Sequence, residues 1–276
     1  MPIITFWSSN EKTNGQTVSA AVAATTMAME HNYKVLLVSA DFNNSSMEEC
    51  FGAQETNRDI VKSLIKTPQM NLDSGINGLI KLANSNRVTP EIIHDYTKII
   101  YKNRFEILYS PNNVIDKQEK ARILEDFKNI ILHASRYYDY VLVDLRKGLE
   151  FEPQREILNS SDVVVLNVNQ NLKAINETLN QNIIKAISRK ILWNICRYDK
   201  KSKYNTKNLT RQILKKQSVC ETNYNTYILE ASQDGTLAEM ILRFRTLKED
   251  DENLQFYTKE KELVQTMLLK YQETRV

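Results

Sequence analysis

Ile3-Ile-Thr-Phe-Trp-Ser-Ser-Asn-Glu-Lys-Thr-Asn-Gly15-Gln-Thr-Val-Ser-Ala-Ala-Val-Ala23 is the stretch whose reading decides the fold. The β-branched and aromatic run Ile3 to Trp7 predicts a strand, the polar stretch Ser8 to Gln16 a loop, and the alanine-rich segment Thr17 to Glu30 a helix. The next apolar run, Lys34-Val-Leu-Leu-Val-Ser-Ala40, is bounded by polar residues, as is a parallel strand covered on both faces by helices. A βαβ unit therefore opens the chain.

Working outward, further buried strands are expected at 105–109, 140–144, 163–168 and 190–195, separated by helical stretches such as 117–136 and 171–188. This alternation implies an α/β fold: a doubly wound, mostly parallel sheet with helices on both faces, and ligands at the carboxyl ends of the strands. The segment 54–104 is polar and mostly helical in pattern. The tail 247–276 reads as a charged outer helix whose Leu263, Val264, Met267, Leu268 and Tyr271 recur near helical spacing, so that one face can be buried. Packing on its own domain is favoured over membrane attachment, because its polar face carries acidic as well as basic residues. No Gly-, Pro- or Ser-rich linker divides the chain, so the expectation is one domain over 1–246 with the tail packed on it.

The 276 residues suffice for one large α/β core, and 42% hydrophobic with 26% charged residues is an ordinary globular balance. No run approaches the roughly 18 apolar residues of a membrane span, and the start lacks a basic leader, so a soluble cytoplasmic protein is expected. Cys50, Cys196 and Cys220 are far apart and share no metal-ligand spacing with His31, His94 or His133, which favours structural thiols. A net charge of +3 does not by itself indicate a nucleic-acid binder. The lysines of Arg197-Tyr-Asp-Lys-Lys-Ser-Lys-Tyr204 could touch phosphates, but a solvated loop is the favoured reading. Only six glycines occur where average usage would give roughly nineteen, so Gly15 and Gly148 carry positional information.

The opening stretch resembles the deviant Walker A region of ParA/MinD-type ATPases, which usually reads Lys-Gly-Gly-x-Gly-Lys-Thr-Thr between the first strand and first helix. In that register Glu11 stands on the signature lysine, Lys12 and Thr13 on two glycines, and Gln16 on the second lysine; Gly15 and Thr17 remain. A phosphate cradle needs backbone N–H groups at a helix N-terminus, glycine for close approach, and lysine charge against the phosphates. Losing one charged hydrogen bond, worth roughly 1.5–3 kcal/mol, weakens nucleotide binding by about one to two decades. A strand–loop–helix kept for folding alone and a site with residual nucleotide binding both stay open.

The resemblance extends to other stations. Val38-Ser-Ala-Asp41 is similar to the Asp-x-Asp switch I, with Ser39 replacing the first acid and Asp41 keeping the second, which implies a catalytic role for Asp41 beside magnesium and the attacking water. Tyr140-Val-Leu-Val-Asp144-Leu-Arg-Lys-Gly148 resembles the Walker B strand and switch II: Asp144 with Thr17 would hold magnesium, and the Gly148 N–H would face a γ-phosphate. Arg146 and Lys147 would supply charge there or reach solvent. Ile195-Cys-Arg197-Tyr looks like the Asn-Arg-Tyr station, with Cys196 in place of the adenine-reading asparagine; a thiol lacks the paired donor and acceptor of an amide. The implied nucleotide contacts are Lys12, Thr13, Asn14, Gly15, Gln16, Thr17, Val18, Gly148 and Arg197, with ATP and Mg as the cofactors.

Within the superfamily the chain looks most like the TadZ/CpaE branch, through its altered loop and Asn225-Thr-Tyr-Ile-Leu-Glu-Ala-Ser-Gln-Asp-Gly235. Three functions follow. The first is a degenerate localisation or scaffold factor, a pseudo-ATPase that dimerises and recruits a protein of a secretion, pilus, conjugation or partition system. The second is a slow partition-type ATPase using substituted residues. The third is a partition protein that binds nucleic acid through 197–216.

Overall fold

The computed structural model describes residues 1–9, 14–42, 44–52, 76–85, 87–111, 114–215, 217–249 and 251–274. The opening unit forms as expected: β1 (Ile3–Trp7), α1 (Gln16–Glu30) and β2 (Val35–Ala40). After α2 (Ser46–Cys50) come α3 (Ile76–Asn84), α4 (Pro90–Asp95), β3 (Lys98–Tyr101), β4 (Phe105–Leu108), α5 (Lys117–Ala134), β5 (Tyr140–Leu145), α6 (Glu152–Ser160) and β6 (Val163–Asn169). The remainder is α7 (Leu172–Leu179), α8 (Asn182–Ala186), β7 (Ile191–Tyr198), α9 (Thr206–Gln212), β8 (Ser218–Asn223), α10 (Thr226–Asp234), α11 (Leu237–Arg245) and α12 (Glu252–Thr274).

The eight described strands form one sheet in the order β3-β4-β2-β5-β1-β6-β7-β8, parallel throughout except for β3. β1 lies between β5 and β6, and the chain runs to one side of it before β5 and to the other after β6. That reversal opens a crevice at the carboxyl end of β1, the usual ligand position of such sheets. Strand alternation splits the core in two: Ile3, Trp7, Leu36 and Val38 face α5, α6 and α7, while Ile4, Phe6, Val35 and Leu37 face α1, α11 and α12. The alanines of α1 suit its position, since a helix buried on nearly every side needs small side chains for close approach.

Two strands were absent from the sequence reading because both are edges. β3 is half-exposed and antiparallel, and β8, Ser-Val-Cys-Glu-Thr-Asn, has no apolar run. The helix expected over 171–188 is interrupted at Asn180 and Gln181, which cap α7 and α8. α12 lies over β6, β7 and β8 beside α1, burying Phe256, Tyr257, Leu263, Val264 and Met267 in the second core. Of the 54–104 segment, residues 54–75 and 86 lie outside the described residues; 76–104 hold two helices and β3.

Where α2 meets α10, glycine is required by space as well as by backbone angle. Gly235 ends α10 at φ 74°, and a Cβ there would stand 2.5 Å from the Gly52 Cα. Gly15 has φ 76° but open space on its Cβ side. Gly235→Ala should therefore lower stability by more than about 2 kcal/mol in urea denaturation, adding a clash to the left-handed backbone penalty. Gly15→Ala should cost only that penalty, about 1–2 kcal/mol.

Candidate functional site

The carboxyl ends of β1, β2, β5 and β6 converge on the first turn of α1. Asn14, buried in the loop, donates through Nδ2 to Ser8 Oγ (2.6 Å) and to the Asn167 carbonyl (2.9 Å), and its Oδ1 accepts from the Gln16 N–H (3.2 Å). These bonds hold Gly15 as the N-cap of α1, with no side-chain cap on the helix.

Gln16 is 2% exposed and its amide is committed within the protein. Nε2 donates to Asp144 Oδ1 (2.6 Å) and to the Leu145 carbonyl (2.7 Å), while Oε1 is buried without a partner. Asp144 is itself 1% exposed. Burial pushes its carboxyl up, hydrogen bonds from Gln16 and Thr17 pull it back, and the Asp41 charge raises it; the result is about 6. In place of a lysine charge, this acid receives a neutral amide.

Asp41 accepts from Asn44 Nδ2 (2.9 Å) and pairs with Arg146 (Nη1 to Oδ1, 3.3 Å). Arg146 therefore turns toward the site, its second nitrogen 3.6 Å from Glu150. Gly148, at φ 74°, is occupied on both sides of its backbone. Its N–H, expected to face a γ-phosphate, donates to the Ser8 carbonyl (2.9 Å), and its carbonyl accepts from Trp7 Nε1 (2.9 Å) and Gln154 Nε2 (3.3 Å). Ser39 is buried in register with Asp144, its hydroxyl 3.5 Å from that of Ser110.

Asn14, Gly15, Gln16, Thr17, Asp41, Asp144 and Gly148 are thus brought together. Val18 and Arg197 line a cavity of about 90 Å³ together with Asn14, Gly15 and Cys196. Arg197 adopts φ 51°, a strained backbone for a residue with a side chain. Glu11, Lys12 and Thr13 lie outside the described residues. Among the described residues no group of three or more His, Cys, Asp or Glu is placed to hold a metal ion. No helix among them is long and apolar enough to cross a membrane.

A polar ladder behind the loop was missed by sequence reading. Asn194 Nδ2 donates to Ser19 Oγ (3.0 Å) and Asn167 Oδ1 (3.1 Å), Thr222 donates to Asn194 Oδ1 (3.1 Å), and the Cys196 thiol lies 3.3 Å from Asn167 Oδ1. Its sequence signal was an asparagine within each of two otherwise apolar strands, Val-Val-Val-Leu-Asn167 and Ile-Leu-Trp-Asn194. A buried amide is retained there only because its hydrogen bonds are made.

No protein-family model matches the chain, and no curated protein sequence matches it significantly. Solved structures do. A ParA family ATPase from Chlorobium tepidum TLS superposes with a TM-score of 0.70 at 14% identity, covering 96% of this chain and 98% of that one. The septum site-determining protein MinD of Pyrococcus horikoshii OT3, complexed with Mg-ADP, gives 0.66 at 18% identity, covering 98% of each chain. Apo McdA of Cyanthece gives 0.65 at 15% identity, covering 97% of this chain and 99% of that one. At these identities the likeness establishes the fold, that of the ParA/MinD P-loop ATPases.

The Gln16–Asp144 bond has measurable consequences. Gln16→Leu leaves a buried acid short of a donor and should lower stability by about 1.5–3 kcal/mol in urea. Because folding raises Asp144 from 3.8 to about 6, its contribution is fully present below about pH 4 and lost as pH rises through 6. Asp144→Asn should therefore gain stability relative to the parent protein between pH 4 and pH 7.

Proposed function

We propose that this chain is a degenerate ParA/MinD-like protein, a localisation or scaffold factor with weak or absent ATP binding and little hydrolysis. The observation that carries this reading is the internal commitment of the phosphate-side groups. The residue on the lysine position is an amide bonded to Asp144, and the Gly148 N–H is bonded to Ser8. A triphosphate would have to break both bonds and would gain no lysine charge from position 16. Thr17 and Asp144, the pair suited to magnesium, remain side by side, but the residues that would hold the phosphates do not fit them. Asp41 is held by Arg146 and Asn44, which gives it a structural use without catalysis.

With chemistry set aside, what is left is a rigid fold with a surface to offer. The partner is read as a second copy of the chain together with a protein of a secretion, pilus, conjugation or partition system, on the TadZ/CpaE-like side of the superfamily. The solved relatives support a positioning role by kind: one is a septum site-determining protein, and another is a MinC:MinD cell division complex from Aquifex aeolicus. The domain is read as 1–246 with 247–276 packed on it.

Isothermal titration with Mg-ATP should give a dissociation constant no tighter than on the order of 100 μM, or none. Phosphate release should stay at background with DNA or lipid vesicles present. Micromolar binding with steady turnover, lost in both Asp41→Ala and Asp144→Ala, would establish the slow ATPase instead.

A further inference from the structure

Exposed aromatic side chains are rare on this molecule, and they gather at one place. Among the described residues only Tyr224 and Tyr227 are aromatic and more than half in solvent, at 56% and 54% exposure. Both line a cavity of about 630 Å³ between the loop after β7, the start of α10 and the start of α12, with the buried Phe256 as its third ring. It borders the smaller cavity at Asn223 and Phe256, but Gly15, Cys196 and Arg197 do not line it. Its volume lies within the roughly 300–1,000 Å³ of sites that enclose a ligand. Tyrosine rings left open to water in a concave site gain by packing on an apolar partner while their hydroxyls hydrogen-bond it.

The polar groups of the walls divide into spent and unspent. Asn225 Oδ1 accepts from the Ile228 N–H (3.0 Å), Asn253 Oδ1 accepts from Asn225 Nδ2 (2.8 Å), and Asp251 Oδ1 accepts from the Asn253 N–H (2.8 Å) and Nδ2 (3.0 Å). These oxygens are committed to the protein. Among the described residues, Lys200 Nζ, the Tyr224 and Tyr227 hydroxyls and the side-chain amides of Asn223 and Gln255 make no hydrogen bond or ion pair. That set is weighted toward donors, since an ammonium carries three and accepts none.

The complement of open rings and free donors is a chain with apolar sides, many carbonyl acceptors and few N–H groups. Proline in the left-handed extended helix has these properties: its nitrogen carries no hydrogen, its carbonyls make no internal bonds, and its fixed φ lowers the entropy lost on docking. A sugar or an ordinary peptide strand also brings donors, which would meet oxygens already occupied. A nucleic-acid strand would set its phosphates against Asp251, with Lys200 as the cation of the described lining.

We propose that this cavity docks a proline-rich segment of a partner protein in the polyproline II conformation, with Tyr224 and Tyr227 packing on the proline rings and Lys200, Asn223 and Gln255 donating to its carbonyls. The proposal names the partner chemistry of the scaffold reading and rests on it.

The test uses the full chain and a fluorescein-labelled decaproline peptide, followed by fluorescence anisotropy at physiological salt without nucleotide. Decaproline should bind with a dissociation constant tighter than about 1 mM, and a labelled glycine–serine decapeptide at least about tenfold more weakly. Replacing both rings, Tyr224→Ala with Tyr227→Ala, should weaken decaproline binding by about tenfold or more. Tyr224→Phe with Tyr227→Phe keeps the rings and removes two donors, and should weaken it about two- to tenfold, as should Lys200→Ala. If the double alanine variant does not fold, the double phenylalanine variant and Lys200→Ala decide alone. No decaproline binding at millimolar concentration, equal binding of the glycine–serine peptide, or binding indifferent to both tyrosines would overturn the proposal. Tighter binding of maltohexaose or of a thymidine decamer, lost with the two rings, would overturn it in favour of a saccharide or a nucleic-acid strand. Tight Mg-ATP binding with turnover would overturn the scaffold reading, and decaproline binding, measured without nucleotide, would still stand or fall by itself.

Discussion

The hydrogen bond from the Gln16 amide to Asp144 joins the first turn of α1 to the end of β5, and the carboxyl edge of the sheet is organised around it. Both residues are almost wholly removed from water. In such surroundings a carboxylate needs a donor, and the fold supplies one from the helix that follows β1. Asn14 then fixes the loop against Ser8 and Asn167, and Gly148 closes on Ser8 from the opposite side. Position 16, which stands on a lysine of the loops that this one resembles, here supplies the amide that satisfies Asp144.

The charges around this edge follow the same logic. Arg146 lies between Asp41 and Glu150, so a cation near the site is neutralised by the protein's own acids. Exposed pairs of this kind contribute little stability, but they set the direction of the side chains. At the other end of the sheet Glu106 is in a fully satisfied cluster. Burial pushes its carboxyl up, while bonds from Tyr138, His94 and Thr97 and the Lys34 charge bring it below its ordinary range. Glu260 offers the contrast, an acid equally removed from water with neither oxygen bonded.

Much of the fold was legible because buried parallel strands are apolar throughout and stand out against polar helices. β1, β2, β5, β6 and β7 were all of this kind, and the Gly15 turn with its alanine-rich helix identified the first βαβ unit. β3 and β8 were not, since an edge strand is covered on one side only and its sequence is mixed. α12 was legible as a charged helix with one apolar face, but which of the two cores that face completes was not. The candidate site was legible as positions along the chain and not as bonds. Asp144 and Gly148 were identified at their strand end, but nothing in their spacing indicated that Gln16 would occupy the one and Ser8 the other.

The sequence by itself determined the order of elements, the place of the crevice and the presence of glutamine at position 16, because these depend on local periodicity and on residue identity. Only the tertiary structure decided which groups were spent. Whether a buried amide, a backbone N–H or a carboxyl has a partner depends on atoms brought from strands and helices more than a hundred residues away: Gln16 meets Asp144, and Gly148 meets Ser8. Glu260 meets no partner, and only the packing of α12 across β7 and β8 reveals it.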